Sequence, residues 1–144
     1  MIVPVTWENL PDALVVYRPA WQESHRHICS PAFLESRDCG AYLQSHMQGL
    51  YLLYHGEPAG VVRIWDGEIG DLYVRPDYQG RGYGKELLAF ALTLCPSPRL
   101  TVLSDNNRAI GMYQSRGFQF TGRDRLLRPG LWEREMVKME KENG

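Results

Sequence analysis

Three glycines, Gly80, Gly82 and Gly84, alternate with Arg81 and Tyr83, and Lys85 follows at once. Glycine lets a backbone come within hydrogen-bond distance of a ligand and adopt positive φ. Leu87, Leu88, Ala91 and Leu94 follow at helical spacing. A glycine loop that opens a helix presents unpaired N–H groups and the positive end of the helix dipole, a natural seat for phosphate. Arg81 and Lys85 add charge-assisted donors. The spacing is not that of the P-loop, because Glu86 follows Gly84-Lys85 and Gln79 stands where the earlier glycine is required. Nor is it the dinucleotide fingerprint, whose third glycine would fall at Lys85. Taken alone, the cluster also fits a plain flexible turn.

Other residues invite chemistry less strongly. His25, His27 and Cys29 lie close together, but their spacing matches no zinc pattern, so they read as surface or helix residues and no metal is expected. Cys29, Cys39 and Cys95 form neither a CxxC pair nor a disulfide framework and read as reduced thiols. Trp21, Trp65 and Trp132 are candidates for an acceptor pocket or for plain core.

The elements that must position the loop follow from pattern. Ile2 to Val5 reads as an edge strand because of Pro4. A helix is expected from Leu10 to about Trp21, with Pro19 ending it. Ser30-Pro31 starts another helix, and Ala41 to about Met47 a third. Leu50–Tyr54, Val61–Trp65 and Glu68–Val74 read as a three-stranded meander, with turns at 55–60 and at Asp66-Gly67. A helix from Lys85 to Leu94 stops before Pro96. Leu100–Leu103 is a strand, Ser104–Asn107 a cap, and Arg108 to about Ser115 a helix closed by Gly117. Phe118–Thr121 and Leu131–Met139 are the last strands, with 123–128 read as part of a solvated hairpin loop. The order predicts an α/β (α+β) fold, a mixed sheet with helices on its faces.

With 144 residues the chain has the size of one domain, read as 1–144. Its formal net charge of −1 argues against a dedicated nucleic-acid binder. No signal peptide and no membrane span are read, so a cytoplasmic protein is expected, with no membrane partner.

Gln79-x-x-Gly82-x-Gly84, set between Asp71-Leu72-Tyr73-Val74 and an apolar helix, resembles the pyrophosphate-binding signature of the GNAT N-acetyltransferases. Asn106-x-x-Ala109, Tyr113 and Gly117-Phe118 resemble that family's second block, so the likeness covers roughly residues 60 to 120. The resemblance implies a twisted mixed sheet whose two central parallel strands splay apart around acetyl-CoA, the cosubstrate. It places the pantetheine arm along Leu72, Tyr73 and Val74, and the pyrophosphate on the loop formed by Gln79, Gly80, Arg81, Gly82, Tyr83, Gly84 and Lys85. Asn106 is implied on the arm's other side, although it reads equally well as a helix cap.

The implied activity is acetyl transfer to a primary amine of a small molecule or protein, by a monomer or homodimer. That chemistry needs a free amine lone pair, donors for the carbonyl oxygen and a proton for the departing thiolate. By position in the family pattern, Tyr113 is the candidate acid; from the residues alone it is a core aromatic. Glu68 is the candidate base, eleven residues before Gln79, with water or Asp71 as alternatives. Strand alternation is expected to put Glu68 and Asp71 on opposite faces. The N–H of Val74 is the expected oxyanion donor. The competing class is a non-catalytic acyl-CoA-binding module, which would need neither Tyr113 nor Glu68. The acceptor should be set by the N-terminal helices and the 120–131 segment, where Arg123, Arg125 and Arg128 would favour an acidic acceptor if they faced it.

Overall fold

The computed structural model describes residues 1–139. Seven strands form one sheet: β1 (Ile2–Pro4), β2 (Leu50–His55), β3 (Glu57–Trp65), β4 (Glu68–Val74), β5 (Arg99–Leu103), β6 (Phe118–Arg128) and β7 (Leu131–Lys138). Their order is β1-β2-β3-β4-β5-β7-β6. Five α-helices, α1 (Leu10–His25), α2 (Pro31–Ser36), α3 (Cys39–Ser45), α4 (Tyr83–Leu94) and α5 (Asn107–Ser115), cover its two faces. This is the mixed α/β architecture expected.

Side chains alternate across a strand, so each central strand feeds two cores. On one face Leu50, Leu52 and Val61 pack with Ala13, Val16 and Tyr17 of α1 and Leu43 of α3. On the other, Leu53, Val62 and Ile69 pack with Leu87, Leu88 and Ala91 of α4 and Tyr113 of α5. The sheet is therefore clamped from both sides up to β4.

Beyond β4 the clamp opens. All neighbouring strands pair antiparallel except β4 and β5, which run parallel and share one register pair, Glu68↔Arg99. From there the two strands diverge, as the resemblance implied.

Several details differ from expectation. Helix α1 runs through Pro19 to His25. Pro19 cannot donate to the carbonyl of Val15, but Val15 is 48 % exposed, so water can serve that carbonyl. Buried Val16, Tyr17, Ala20 and Trp21 pin the turns on both sides. The expected six-residue turn after Tyr54 shrinks to Gly56, because a bulge at Leu53/Tyr54 lets 57–60 join β3. Strand β6 extends to Arg128 through an irregularity around Gly122 (φ 85°), held by the cross-strand pairs Asp124–Arg134 and Arg125–Glu133. Helix α4 begins at Tyr83, two residues early, and α3 at Cys39. No helix among the described residues is long and apolar enough to cross a membrane.

Candidate active site

The glycine loop leads from β4, through a short turn at Pro76–Tyr78, into α4. Gly80 and Gly82 sit at φ 83° and 85°, in the left-handed region that favours glycine. A Cβ built on either would meet nothing within 4 Å, so the backbone of the first helical turn lies bare. Gly82 is the residue before the helix and offers no side-chain cap, which leaves the first amides of α4 unpaired. Arg81 rests over the Tyr78 ring at 4.9 Å, while Lys85 is exposed and in no ion pair among the described residues. Tyr83 stacks on His55 with centroids 4.2 Å apart. Gly84 differs: a Cβ there would lie 3.5 Å from Met112 Sδ, an ordinary van der Waals contact, so this position faces α5 and not open space. The side chain of Gln79 turns back to the carbonyl of Val74, 3.4 Å away.

Where β4 and β5 diverge lies a cavity of about 510 Å³. Its walls include Leu72 and Tyr73 of β4, Thr101 and Val102 of β5, and Asn106, Ala109 and Tyr113 at α5. The N–H of Arg75 donates to Ala59 of β3 at 2.9 Å. Alternation then turns the N–H groups of Val74 and Leu72 toward the open side of β4. Asn106 caps α5, its Oδ1 accepting from the N–H of Ala109 at 3.2 Å, and its side chain also lines the cavity.

Tyr113 is 8 % exposed, and its hydroxyl has no hydrogen-bond partner among the described residues. Burial, then the nearby phenol of Tyr73, pushes its pKa above the ordinary range. Tyr73 itself is pushed up to about 12, by burial and then by the charge of Asp71. Both phenols therefore keep their protons at neutral pH.

Glu68 and Asp71 both line the cavity, which corrects the expectation that alternation would separate them. The register shifts between Val61 and Arg63, so β4 carries one extra residue against β3. Asp71 takes up the irregularity at φ 49°. Its carboxylate accepts from Tyr42 Oη at 2.7 Å. Glu68 stands at the rim, its side chain 45 % exposed and 3.9 Å from Arg99 Nε.

The cavity also contains residues that pattern alone did not single out, Ser24 of α1, Tyr42 of α3 with the adjoining His46, and Glu133 of β7, together with His25, which stands out in the sequence only beside His27 and Cys29. A shared spacing, Trp21-x-x-Ser24-His25 and Tyr42-x-x-Ser45-His46, was the available signal. Of the three tryptophans, Trp65 lines the cavity, Trp21 is core and Trp132 is exposed. Arg123, Arg125 and Arg128 do not line it. Four carboxylates, Asp66, Glu68, Asp71 and Glu133, face it against Arg63, whose Nε is engaged by the carbonyl of Gln48 at 2.9 Å. Asp66 and Glu68 each lie 3.9 Å from Arg99 and Glu133 lies 3.4 Å from Arg125, so Asp71 is the wall carboxylate with no cationic partner among the described residues. His25, His27 and Cys29 do not converge: His27 Nε2 lies 2.8 Å from Asp105, and Cys29 packs on the α1–α3 core. Arg128 donates to the carbonyl of His27 at 2.7 Å, so the α1–α2 connection is tied to both the β5–α5 connection and β6.

The curated relatives include the peptidyl-lysine N-acetyltransferase YjaB of Salmonella typhimurium, 37% identical over 70 residues, or 49% of this chain and 48% of that protein. Its Escherichia coli counterpart is 31% identical over the same share. The chain thus spans about half the length of the curated relatives it matches. Among solved structures, the PaiA N-acetyltransferase of Thermoplasma acidophilum in complex with coenzyme A superposes with a TM-score of 0.75 at 21% identity, over 97% of this chain and 98% of that one. Apo YjaB of Escherichia coli gives 0.74 at 21% identity, over 98% of each chain. The acetyltransferase (GNAT) family profile matches residues 10–118, which is most of the sheet, the glycine loop and the cavity. The chain belongs to the acetyltransferase (GNAT) family.

Proposed function

We propose that this protein is an N-acetyltransferase that moves an acetyl group from acetyl-CoA to a cationic primary amine of the lysine type. One observation carries the reading: β4 leads into a loop with bare helix-N-terminal amides and also forms one wall of a gap that holds a buried, unpartnered phenol. An acyl-CoA-binding module would need the first and not the second.

Acetyl-CoA, when bound, supplies an acetyl group activated as a thioester. The amides at Gly80 to Lys85 hold its pyrophosphate, with Arg81 and Lys85 adjacent. The open edge of β4 at Leu72, Tyr73 and Val74 offers backbone partners to the pantetheine arm, as an added strand would use. Asn106 offers its side-chain amide from the opposite wall. The N–H of Val74 receives charge that develops on the carbonyl oxygen.

Asp71 on the wall draws in an ammonium, which must lose a proton before it can attack, since its pKa is about 10.4 in a lysine. That proton leaves by Glu68 at the rim or through water in the cavity. Tyr113, protonated because it is buried, gives its hydroxyl proton to the departing sulfur. The relatives named as peptidyl-lysine N-acetyltransferases support a lysine side chain as the acceptor. The test is CoA release from acetyl-CoA across lysine peptides, polyamines, amino acids and aminoglycosides. Turnover concentrated on cationic amines is expected. Acetyl-CoA binding without transfer to any of them would leave the binding-module reading standing instead.

A further inference from the structure

The ends of α1 and α3 carry one device twice. His25 places Nδ1 2.9 Å from the carbonyl of Trp21 and 2.8 Å from Ser24 Oγ. His46 places Nδ1 2.7 Å from the carbonyl of Tyr42 and 3.0 Å from Ser45 Oγ. Each imidazole stacks on the aromatic ring four residues before it, with centroids 4.5 and 4.0 Å apart. A carbonyl can only accept, so Nδ1 carries the hydrogen, and the neutral ring is left with Nε2 as a bare acceptor. Both rings line the cavity, and neither Nε2 has a partner among the described residues.

One guanidinium serves both sites: Arg37 lies 4.1 Å over the Trp21 ring on which His25 stacks and 4.6 Å over the Tyr42 ring on which His46 stacks. Burial first, then the charges of Arg37 and His27, pushes the His25 pKa below its ordinary value, against the raising effect of its bond to Trp21. Across the cavity, His25 shares the wall with Glu68 and Asp71 of β4, Arg63 of β3, and His46 beyond α3. His25 is thus held neutral, in one tautomer, with its basic nitrogen free.

We propose that His25 is the base of the reaction, its Nε2 receiving the acceptor's proton through cavity water. This rests on the acetyltransferase reading and assigns the end of its water route. The ammonium loses one proton to Nε2, which frees a lone pair on nitrogen. The nitrogen–carbon bond then forms as the carbon–sulfur bond breaks. Tyr113 gives its proton to sulfur and is restored by the nitrogen's second proton, and the imidazolium returns its proton to solvent. A lysine-like amine near about 10.4 gives its proton uphill to an ordinary imidazole near about 6.5 or an ordinary carboxylate near about 4.3, and the lowering at His25 narrows the difference between them. Geometry favours His25: its ring is fixed by the Nδ1 bond with Nε2 left unpartnered among the described residues, whereas Glu68 lies 3.9 Å from Arg99 Nε.

The test compares wild type, His25→Asn and His25→Ala for CoA release from acetyl-CoA with the best amine of the panel. Asparagine keeps a donor for the Trp21 carbonyl and loses the basic nitrogen. Turnover should fall about 10²-fold in both variants, the KM for acetyl-CoA should stay within about threefold, and added imidazole should restore His25→Ala. Full turnover in His25→Asn overturns the proposal, and so does failure of imidazole to rescue a His25→Ala protein with wild-type Tm. Nitrogen-15 NMR of the free protein supplies a reading that needs no turnover: at pH 7, Nε2 of His25 should be unprotonated. A proton on Nε2 overturns the proposal. If wild type transfers acetyl to no amine, the enzyme reading itself fails and His25 falls with it. Loss of activity confined to the His25 variants cannot be mistaken for that result.

Discussion

At the glycine loop the chain offers backbone; at the acceptor end of the cavity it offers side chains. Gly80 and Gly82 have open space where a Cβ would stand, and the donors there are amides at the start of α4. His25 and Tyr42 are instead stacked on neighbouring rings, Tyr73 and Tyr113 are half-buried to buried, and Tyr73 raises the pKa of Tyr113. On the proposed reading the loop recognises a group shared by every CoA thioester, so it needs shape and dipole more than identity. On the same reading the acceptor end handles protons, so it needs particular functional groups held at controlled pKa values. Substitutions at the two ends should therefore separate cleanly into binding and turnover effects.

The largest separation is expected from Tyr113→Phe. Ring packing against Phe118, with centroids 5.5 Å apart, survives, and only the hydroxyl is lost. Turnover should fall about 10²-fold or more while acetyl-CoA affinity holds. Activity within about threefold of wild type would return Tyr113 to a packing role. Gly82→Val should do the reverse. It puts a β-branched residue at φ 85° and fills the open space over the first turn. Acetyl-CoA at about 100 times its Kd should stabilise wild type by about 2.7 kcal/mol, seen as a raised Tm. The variant should show no such rise, and a wild-type-sized shift would remove the loop from the binding site.

This division also explains what was legible beforehand. A backbone site leaves its mark as glycines at fixed intervals, and it was the resemblance of Gln79 to Gly84 and of the α5 block to the GNAT blocks that carried the fold. The acceptor wall is assembled from α1, α3, β3, β4 and β7, and no local spacing announces such a meeting. The alternation rule failed at one residue: the irregularity at Asp71 puts it on the cavity wall with Glu68. Pro19 misled because its cost, about 3 kcal/mol in a helix interior, is offset by burial on either side. His25 was set aside because its spacing with His27 and Cys29 matches no zinc pattern, which left surface or helix histidines as the reading. The role argued for it here needed the cavity.

Glu68→Gln gives a smaller and more discriminating effect. It keeps shape and removes basicity at the rim. With His25 as the base, kcat/KM for a cationic amine should drop less than tenfold, mainly through KM, as one of four wall carboxylates is lost. A larger fall in kcat, with the acidic limb of the pH profile moved toward the amine's pKa, would give the proton to Glu68.

Stability should depend on pH at both extremes. Burial lowers the His25 pKa in the fold, so as pH falls through about 6.5 the unfolded chain takes up that proton first and stability declines. Denaturant midpoints for His25→Asn should fall less steeply between about pH 7 and 5. Tyr17, Tyr42, Tyr73 and Tyr113 are all raised by burial. The unfolded chain then releases those protons first, and stability declines above about pH 10. A flat alkaline profile would count against the closed packing of the gap.

Asn106 belongs to both ends, and its effects should be the smallest and the easiest to divide. Its Oδ1 caps α5, and its side chain also faces the cavity from the wall opposite β4. Asn106→Ala should cost about 1 kcal/mol of stability through the cap, together with a several-fold rise in the KM for acetyl-CoA. Aspartate caps a helix as well as asparagine does but has no amide N–H to donate. Asn106→Asp should therefore restore the Tm of the alanine variant and leave the raised KM in place. If aspartate restores both, Asn106 is a cap and the arm of the cosubstrate is held by β4 alone. If it restores neither, the contact with Ala109 at 3.2 Å contributes little to α5, and the side chain acts through the cavity.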